Sequence, residues 1–299
     1  MFSFTKNQKI FDINGIKIGG QPGELPTVLF GGLFFKGEPN FKEAEFKLKK
    51  ILDISKKIGN PFIPDFFIRE EPYIVNIINF IERSLPVDYP FSIDIVDPTI
   101  KIKTLDLLKE KNLLKRTIYN SVHIGISEEE IYSLKRNKPE MVFIVAFNPK
   151  DKSPDGKIEV LENGANLLHD GLLNIIKNIG IKKILLDTAA LSPGENTGAA
   201  IATIPIFKEE YGLPTGCAIH NVVEKSSWII KNNFSKDIVD YSSNINIPVF
   251  GGDYSIFGSV DNFENVLPII AWEDILISEY AENYFDIKPD KSHPRRKLL

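Results

Sequence analysis

Short apolar runs alternate along this chain with longer segments in which apolar residues recur every three or four positions. An uninterrupted apolar run predicts a strand buried on both faces, whereas the longer spacing predicts an amphipathic helix. Eight such strand-plus-helix units follow an initial hairpin. This alternation predicts a sheet of parallel strands connected by helices.

The predicted elements have recognisable bounds. The strands are expected at residues 27–35, 61–67, 91–95, 116–120, 141–147, 183–187, 215–219 and 253–257. Helices are expected at residues 41–58, 72–85, 98–111, 163–179 and 260–279, after Ser127, and from the loop 192–198 to about residue 211. Asp97 before Pro98, and Ser127 with Glu130, predict helix starts, while Gly59, Gly180 and Gly212 predict helix ends.

The expected fold is a single (β/α)8 TIM barrel spanning residues 1–299, preceded by an N-terminal β-hairpin within residues 1–24. The hairpin turns at Asn14-Gly15, a pair typical of a type I′ turn, and is expected to plug or skirt the bottom of the barrel. The tail, residues 287–299, has no periodicity and is expected to be a loose or docking end. A doubly wound sheet is less compatible, because Gly31-Gly32 lies inside the first strand and not after it.

Four of the apolar runs each end on one carboxylate or carboxamide. These residues are Asp94, Asn120, Asp187 and Asn221, after the third, fourth, sixth and seventh predicted strands. Because the carboxyl ends of barrel strands meet at one mouth, the four side chains are expected to share a cavity. Such a set suits a flat heterocycle rich in N–H and C=O groups. Taken singly, each residue could equally cap the following turn.

Composition narrows the class of protein. The chain has 299 residues, 43% of them hydrophobic, with a formal net charge of -4 and one cysteine. The acidic balance argues against a nucleic-acid partner, and the single cysteine indicates a reducing, cytoplasmic setting. No signal peptide is expected, because the start Met1-Phe2-Ser3-Phe4-Thr5-Lys6 carries no long apolar segment. No transmembrane helix is expected either, because no apolar stretch approaches the about 18 residues that a spanning helix needs.

Other candidate groups carry weaker signals. The four histidines lack HxH and HExxH spacings, so a metal site is disfavoured, and His123 and His220 are expected to orient or face solvent. Cys217 lies within an apolar strand and is expected to be inert. The loop 192–198 could receive an anion at the following helix or could be a plain connection.

Several motifs occur in the order found in one known family. They are residues 2–6 and 12–24, Gly59-Asn60-Pro61, Ile118-Tyr119-Asn120-Ser121, Ala146-Phe147-Asn148-Pro149, Gly198-Ala199-Ala200-Ile201 and Ile219-His220-Asn221. Through them, nearly the whole chain resembles the H-subunit family of tetrahydromethanopterin S-methyltransferase, and more distantly the pterin-binding, corrinoid-dependent methyltransferase barrels. One departure is the short connection from Phe35 to Asn40, where the family has a longer segment.

The resemblance implies a methyltransferase that moves the N5 methyl group between a tetrahydropterin and the cobalt of a corrinoid (cobamide) carried by a partner protein. The tetrahydropterin could be tetrahydromethanopterin or tetrahydrofolate. By family position, Asp94, Asn120, Asp187 and Asn221 would hold the pterin, with Asn148 as a weaker match. Asn221 would also position the N5 proton and is therefore the expected catalytic residue. A homodimer, further methyltransferase subunits and a place peripheral to a membrane complex are also implied.

Two alternatives remain at this point. One is a non-catalytic docking subunit, which would be expected to have lost some of the four strand-end residues. The other is a different pterin enzyme, dihydropteroate synthase, a family that usually keeps a lysine at the seventh strand and a Ser-x-Arg ending on the last. Here the seventh strand ends Ile219-His220-Asn221 and the eighth is followed by Gly258-Ser259-Val260.

Overall fold

The structure is a computed structural model that describes residues 3–35, 38–191, 197–224 and 226–299. Its strands are β1 Ile10–Ile13, β2 Ile16–Gly19, β3 Val28–Phe34, β4 Phe62–Phe67, β5 Phe91–Asp94, β6 Thr117–Val122, β7 Met141–Val145, β8 Lys183–Asp187, β9 Thr215–Cys217 and β10 Tyr254–Ser259. Lys36 and Gly37 of the short connection, and residues 192–196 of the proposed anion loop, lie outside the described residues.

The helices occupy most of the connections between strands. They are α1 Phe41–Ile58, α2 Ile74–Ser84, α3 Pro98–Glu110, α4 Glu128–Arg136, α5 Pro154–Glu162, α6 Leu172–Ile179, α7 Thr197–Tyr211, α8 His220–Glu224, α9 Ser227–Lys231, α10 Lys236–Ser243, α11 Asn246–Val249, α12 Phe263–Phe285 and α13 Pro294–Leu298. Within the described ranges, no helix is both long enough and apolar enough to cross a membrane.

The strands β3 to β10 form a closed parallel barrel in chain order, and β10 pairs with β3 to complete it. The predicted (β/α)8 barrel is therefore confirmed. Alternate strand side chains fill the interior, where Phe30, Phe143 and Tyr254 pack edge to face with ring centroids 5.0 to 5.6 Å apart. The larger apolar core lies between the strands and the surrounding helices. This layering directs the carboxyl ends of all eight strands to one face.

The predicted N-terminal hairpin is confirmed and closes the opposite face. Strands β1 and β2 pair antiparallel, and the turn residues Asn14 and Gly15 have φ angles of 51° and 90°. Ile13 and Ile18 are fully buried and join the apolar interior of the barrel. The hairpin therefore plugs the amino-terminal end of the barrel and leaves the carboxyl-terminal end open.

Local capping explains why several helices begin and end as predicted. Asp97 accepts hydrogen bonds from the backbone N–H groups of Thr99 and Ile100, and Pro98 opens α3. Gly59 follows α1 with a φ of 116°, a left-handed conformation that glycine adopts without steric cost. The Ser127 cap is present, but its partner Glu130 is buried in contact with Lys101 instead of reaching back. Only half of the predicted capping box therefore forms.

Two connections differ from the sequence prediction. The continuous helix expected at residues 163–179 is wrong, because Gly164, Ala165 and Asn166 all have positive φ angles and only α6 remains. The residues before it form α5, whose start at Ser153 and Pro154 was not predicted. Between β9 and β10 the chain forms the short helices α8 to α11, a segment for which the sequence pattern gave no helix bounds.

The C-terminal tail is docked against the barrel. Arg295 donates a hydrogen bond to the Ser278 carbonyl at 2.9 Å and forms an ion pair with Glu282 at 2.7 Å. His293 is fully buried before α13. The sequence predicted a loose or a docking end, and this segment docks on α12.

Candidate functional site

A cavity of about 500 Å³ opens at the carboxyl ends of the barrel strands. Its polar lining comes from several strands and from the connection after β9, and consists of Asp65, Asp94, Asn120, Ser121, His123, Asp187, His220, Asn221 and Glu224. The four strand-end residues predicted from the sequence all lie in this lining. A cavity of this volume is in the usual range for a small-molecule site.

A larger cleft of about 860 Å³ lies at the opposite end, beside the hairpin and the C-terminal segment. Its charges are mixed, and Lys17 there pairs with Asp290 at 3.1 Å. Convergent polar groups and three carboxyl groups with raised pKa values, Asp65, Asp94 and Asp187, are at the mouth, so we assign the site to the mouth.

Three of the four predicted residues reach the cavity from barrel strands, and the fourth reaches it from a helix. Asp94 ends β5 and lies opposite Asn120 in the parallel register of β5 and β6. Asp187 ends β8. Asn120 is inside β6, which continues to Val122, and Asn221 lies on α8, after β9 has ended at Cys217. Asn221 is consequently exposed at the rim, whereas Asp187 is only 6% exposed.

Two carboxylates lie together at the floor of the cavity. Asn120 donates a hydrogen bond from Nδ2 to Oδ2 of Asp65 at 3.1 Å, and hydrogen bonding by the Ser92 hydroxyl also acts to lower the pKa of Asp65. Burial raises the pKa of Asp65 to about 6 and, together with the charge of Asp65, raises the pKa of Asp94 to about 8. Near neutral pH the pair therefore holds about one proton between its two carboxyl groups.

Asp187 is held by the backbone that follows it. The N–H of Ala189, a residue with a φ of 55°, donates to Asp187 Oδ1 at 2.7 Å. Burial raises the pKa of Asp187 to about 6, although this N–H and the Lys157 ammonium oppose the rise. No described residue donates to Oδ2, so that oxygen is available to a ligand.

The two histidines of the mouth are neutral hydrogen-bonding groups. His123 accepts the Gly125 N–H at Nδ1, which leaves a proton on Nε2, and His220 places Nδ1 2.9 Å from the Ile256 carbonyl. Burial lowers the pKa of both rings below the ordinary value. His220 Nδ1 is thus the protonated nitrogen and Nε2 an acceptor. His220 also lies one helical turn before Glu224, a rim carboxylate on α8.

Asn148 does not join the other predicted residues. Its side chain is buried, donates to the Gly156 carbonyl at 2.9 Å, and accepts the backbone N–H groups of Lys150 and Asp151. These contacts organise the loop before α5 and use both ends of the amide. Asn148 is absent from the described lining of the cavity.

Sequence reasoning missed two carboxylates of the site. Asp65 lies within the apolar strand Phe62–Phe67, and an ionisable residue inside such a run was the available signal. Glu224 follows Asn221 by three residues, but the helix that turns both toward the mouth was not predicted.

The described lining contains four carboxylates, two amides and two histidines, but no lysine or arginine. Such a surface favours a neutral or cationic ligand with several N–H donors and disfavours an anion. Among the described residues, no group of three or more His, Cys, Asp or Glu side chains is arranged to hold a metal ion.

Comparison with known proteins agrees with this architecture. A dihydropteroate synthase from Xanthomonas albilineans, in complex with 7,8-dihydropteroate, superimposes with a TM-score of 0.55 over 89% of this chain and 98% of that chain. Its sequence is 12% identical, so the likeness concerns the barrel fold.

Similarity in sequence is much closer to one family. The profile described as tetrahydromethanopterin S-methyltransferase MtrH subunit matches residues 6–287. The H-subunit of tetrahydromethanopterin S-methyltransferase from Methanothermobacter thermautotrophicus is 35% identical over 315 aligned positions, and that from Methanothermobacter marburgensis is 34% identical. Both alignments cover 100% of this chain and 100% of the relative. The chain therefore belongs to the H-subunit family of tetrahydromethanopterin S-methyltransferase, a family of methyltransferase subunits.

Proposed function

We propose that this chain transfers a methyl group between N5 of a tetrahydropterin and the cobalt of a corrinoid carried by a partner protein. One observation carries the proposal: a single mouth cavity contains Asp94, Asn120, Asp187 and Asn221 and is lined, in its described part, without a lysine or arginine. The names of the relatives, and the dihydropteroate bound by the fold neighbour, point to the same class of ligand.

The carboxylates would anchor the ring through its N–H groups. The aminopyrimidinone edge of a pterin presents a ring N–H beside an amino group, and one carboxylate can accept both in parallel. Asp187 Oδ2 and the Asp94 carboxyl group are the available acceptors. Asn120, whose Nδ2 is engaged by Asp65, offers its Oδ1 as a further acceptor.

Asn221 would serve the chemical step. In the forward direction the electron pair of cob(I)alamin forms the cobalt–carbon bond, and the electrons of the breaking N5–carbon bond remain on N5, which takes a proton. A hydrogen-bonding group that interacts more strongly with N5 as this bond breaks would lower the barrier. Asn221 stands on the exposed rim, where a corrinoid could approach the methyl group. The proton itself comes from solvent, because an amide supplies none net.

The partners follow from the same proposal. The corrinoid acts as a substrate delivered by another protein, and its cobalt supplies the nucleophile while the barrel supplies orientation and electrostatics. We further infer association with other subunits of a methyltransferase complex and formation of a homodimer. The tetrahydropterin is tetrahydromethanopterin or tetrahydrofolate, and we favour the former because of the names of the relatives.

A dihydropteroate synthase activity fits the cavity less well. A reaction that expels a phosphate leaving group needs cations beside it, and the described lining has none from lysine or arginine. Burying the two carboxyl groups at the floor of the cavity is unfavourable for folding. A non-catalytic docking role gives no reason to keep them there.

The decisive experiment is an anaerobic transfer assay with free cob(I)alamin and either methyltetrahydromethanopterin or methyltetrahydrofolate. Loss of the cob(I)alamin spectrum and growth of the methylcobalamin spectrum, dependent on the protein, are expected with one of the two pterins. Pterin binding without transfer, even with a corrinoid protein supplied, would favour the docking role. Calorimetry that detects no binding of either pterin would refute the proposal.

A further inference from the structure

Three lysines of this barrel have fully or almost fully buried side chains: Lys101, Lys157 and Lys208. Lys101 forms an ion pair with Glu130 at 3.1 Å, and Lys208 forms one with Asp253 at 2.6 Å. Within the described ranges, Lys157 has no carboxylate at ion-pair distance. Because a buried ammonium without a paired anion is unfavourable, the position of Lys157 calls for another explanation.

The contacts of Lys157 connect it to the site. From α5, its Nζ donates to the carbonyl of Thr188 at 2.6 Å and to that of Ala189 at 3.3 Å. These are the two residues that follow Asp187, and the N–H of Ala189 in turn holds Asp187 Oδ1. The ammonium therefore contacts the backbone segment that orients the Asp187 carboxylate.

Of the described ionisable groups near Asp187, Lys157 is the one that carries a positive charge. Among the described residues, the ionisable groups whose charges interact with Asp187 from other strands are Cys217 on the adjacent β9 and Tyr254 on β10. Burial raises the pKa of Cys217 and of Tyr254 well above their ordinary values, so both are neutral. Within the part of the chain that the structure describes, Lys157 on α5 is the one cation that lowers the pKa of Asp187. Burial lowers the pKa of Lys157, and the negative charge of Asp187 opposes that fall.

We propose that Lys157 is a positioning residue for the site: its buried charge keeps Asp187 ionised, and its carbonyl contacts fix the turn that aims this carboxylate into the cavity. The inference rests on the proposed function only in naming a tetrahydropterin as the ligand that Asp187 binds. Lys157 itself does not line the described cavity and acts through Asp187.

The test first uses the protein without ligand. Aspartate carboxyl carbons are labelled with 13C, the Asp187 resonance is assigned with Asp187→Asn, and its titration is followed from pH 4 to pH 10 in wild type and in Lys157→Met. We expect the midpoint of Asp187 to rise by about one pH unit or more in the variant, the low end of the effect of a nearby opposite charge. An unchanged midpoint would overturn the proposal.

Lys208→Met is the matched control, because it removes an equally buried ammonium at the other end of the barrel. It should lower thermal stability and leave the Asp187 midpoint in place. An equal shift of that midpoint in the control would overturn the proposal, since it would show a general effect of lost packing.

If Lys157→Met folds poorly, the double variant Lys157→Met/Ala189→Gly separates charge from turn geometry. Glycine removes the strain of the positive φ at residue 189. A midpoint that stays raised in the double variant supports the role of charge, and a return to the wild-type midpoint contradicts it.

Binding of methyltetrahydromethanopterin across the same pH range then connects the titration to the ligand. Wild type should lose affinity as pH falls through about 6, where Asp187 takes a proton. In Lys157→Met this loss should begin at higher pH, and an unmoved profile despite a shifted carboxyl midpoint would overturn the link to binding. If wild type binds neither pterin, the proposed function fails while the carboxyl titration still decides the role of Lys157.

Discussion

Asn120 donates its Nδ2–H to Asp65 Oδ2 at 3.1 Å, across 55 residues of sequence. The contact fixes the amide at the floor of the cavity and leaves its Oδ1 for a ligand. It also joins Asn120, which the sequence predicted as a site residue, to Asp65, which the sequence did not predict. The consequences for Asp94, which shares the floor with Asp65, can be measured.

Replacing Asp65 by asparagine should lower the pKa of Asp94 from about 8. Burial is the largest cause of the raised value and would remain, but the repulsion from a neighbouring carboxylate would disappear. Carbon-13 titration of the Asp94 carboxyl measures the change, and the Asp187 midpoint serves as the internal control. A constant Asp94 midpoint would show that the two groups do not interact.

Asp94→Ala and Asp187→Ala should each weaken tetrahydropterin binding by roughly 1.5–3 kcal/mol, the range for a hydrogen bond to a charged group. Calorimetry at pH 9, above the pKa of about 8 of Asp94, would measure the affinity of each variant with both carboxyl groups ionised. Asn148→Ala is a suitable comparison, because its side chain bonds within its own loop and not to the cavity. Wild-type affinity in both aspartate variants would exclude the proposed mode of binding.

Asn221→Ala should reduce methyl transfer to free cob(I)alamin by more than it weakens binding of the methylpterin. A loss of about 10²-fold or more in the saturated rate is typical of removing one preorganised transition-state partner. Because Asn221 is exposed, its replacement by alanine should not disturb folding, so a folding defect would not explain such a loss. An unchanged saturated rate with weaker binding would show that Asn221 stabilises ground state and transition state equally.

Asp274 should make stability depend on pH. It accepts hydrogen bonds from the N–H and hydroxyl of Thr27 and from Asn60, yet burial raises its pKa from 3.8 to about 7. The folded protein thus binds this proton more tightly than the unfolded chain. For this group alone, the free energy of unfolding is greatest below pH 4, decreases by about 1.4 kcal/mol per pH unit as pH rises toward 7, and is level above.

Asp274→Asn should remove that contribution while keeping the three contacts, because the Thr27 hydroxyl can accept from the new amide. Urea unfolding of wild type and variant at several pH values gives the difference curve. A difference that is constant from pH 4 to pH 7 would show that Asp274 does not titrate in this range.

Helix ends, strand ends and the hairpin turn could be predicted from the sequence alone, because each depends on residues that are close together in the chain. The bounds of α1 agree with the prediction because the helix ends at Gly59, and β8 agrees because its apolar run stops at Asp187. The turn at Asn14-Gly15 is likewise set by its own two residues. Propensity, periodicity and capping act within a few residues, so they can be read without the fold.

Only the tertiary structure decided which polar groups form the site. Asp65 lines the cavity because β4 lies beside β5 in the barrel. Asn148 does not line it, because its side chain bonds to Gly156, Lys150 and Asp151 in its own loop. The ionisation of Asp187 depends on burial and on a lysine 30 positions earlier, on another element. Desolvation and charge interactions are set by distances between elements remote in sequence, so no local pattern specifies them.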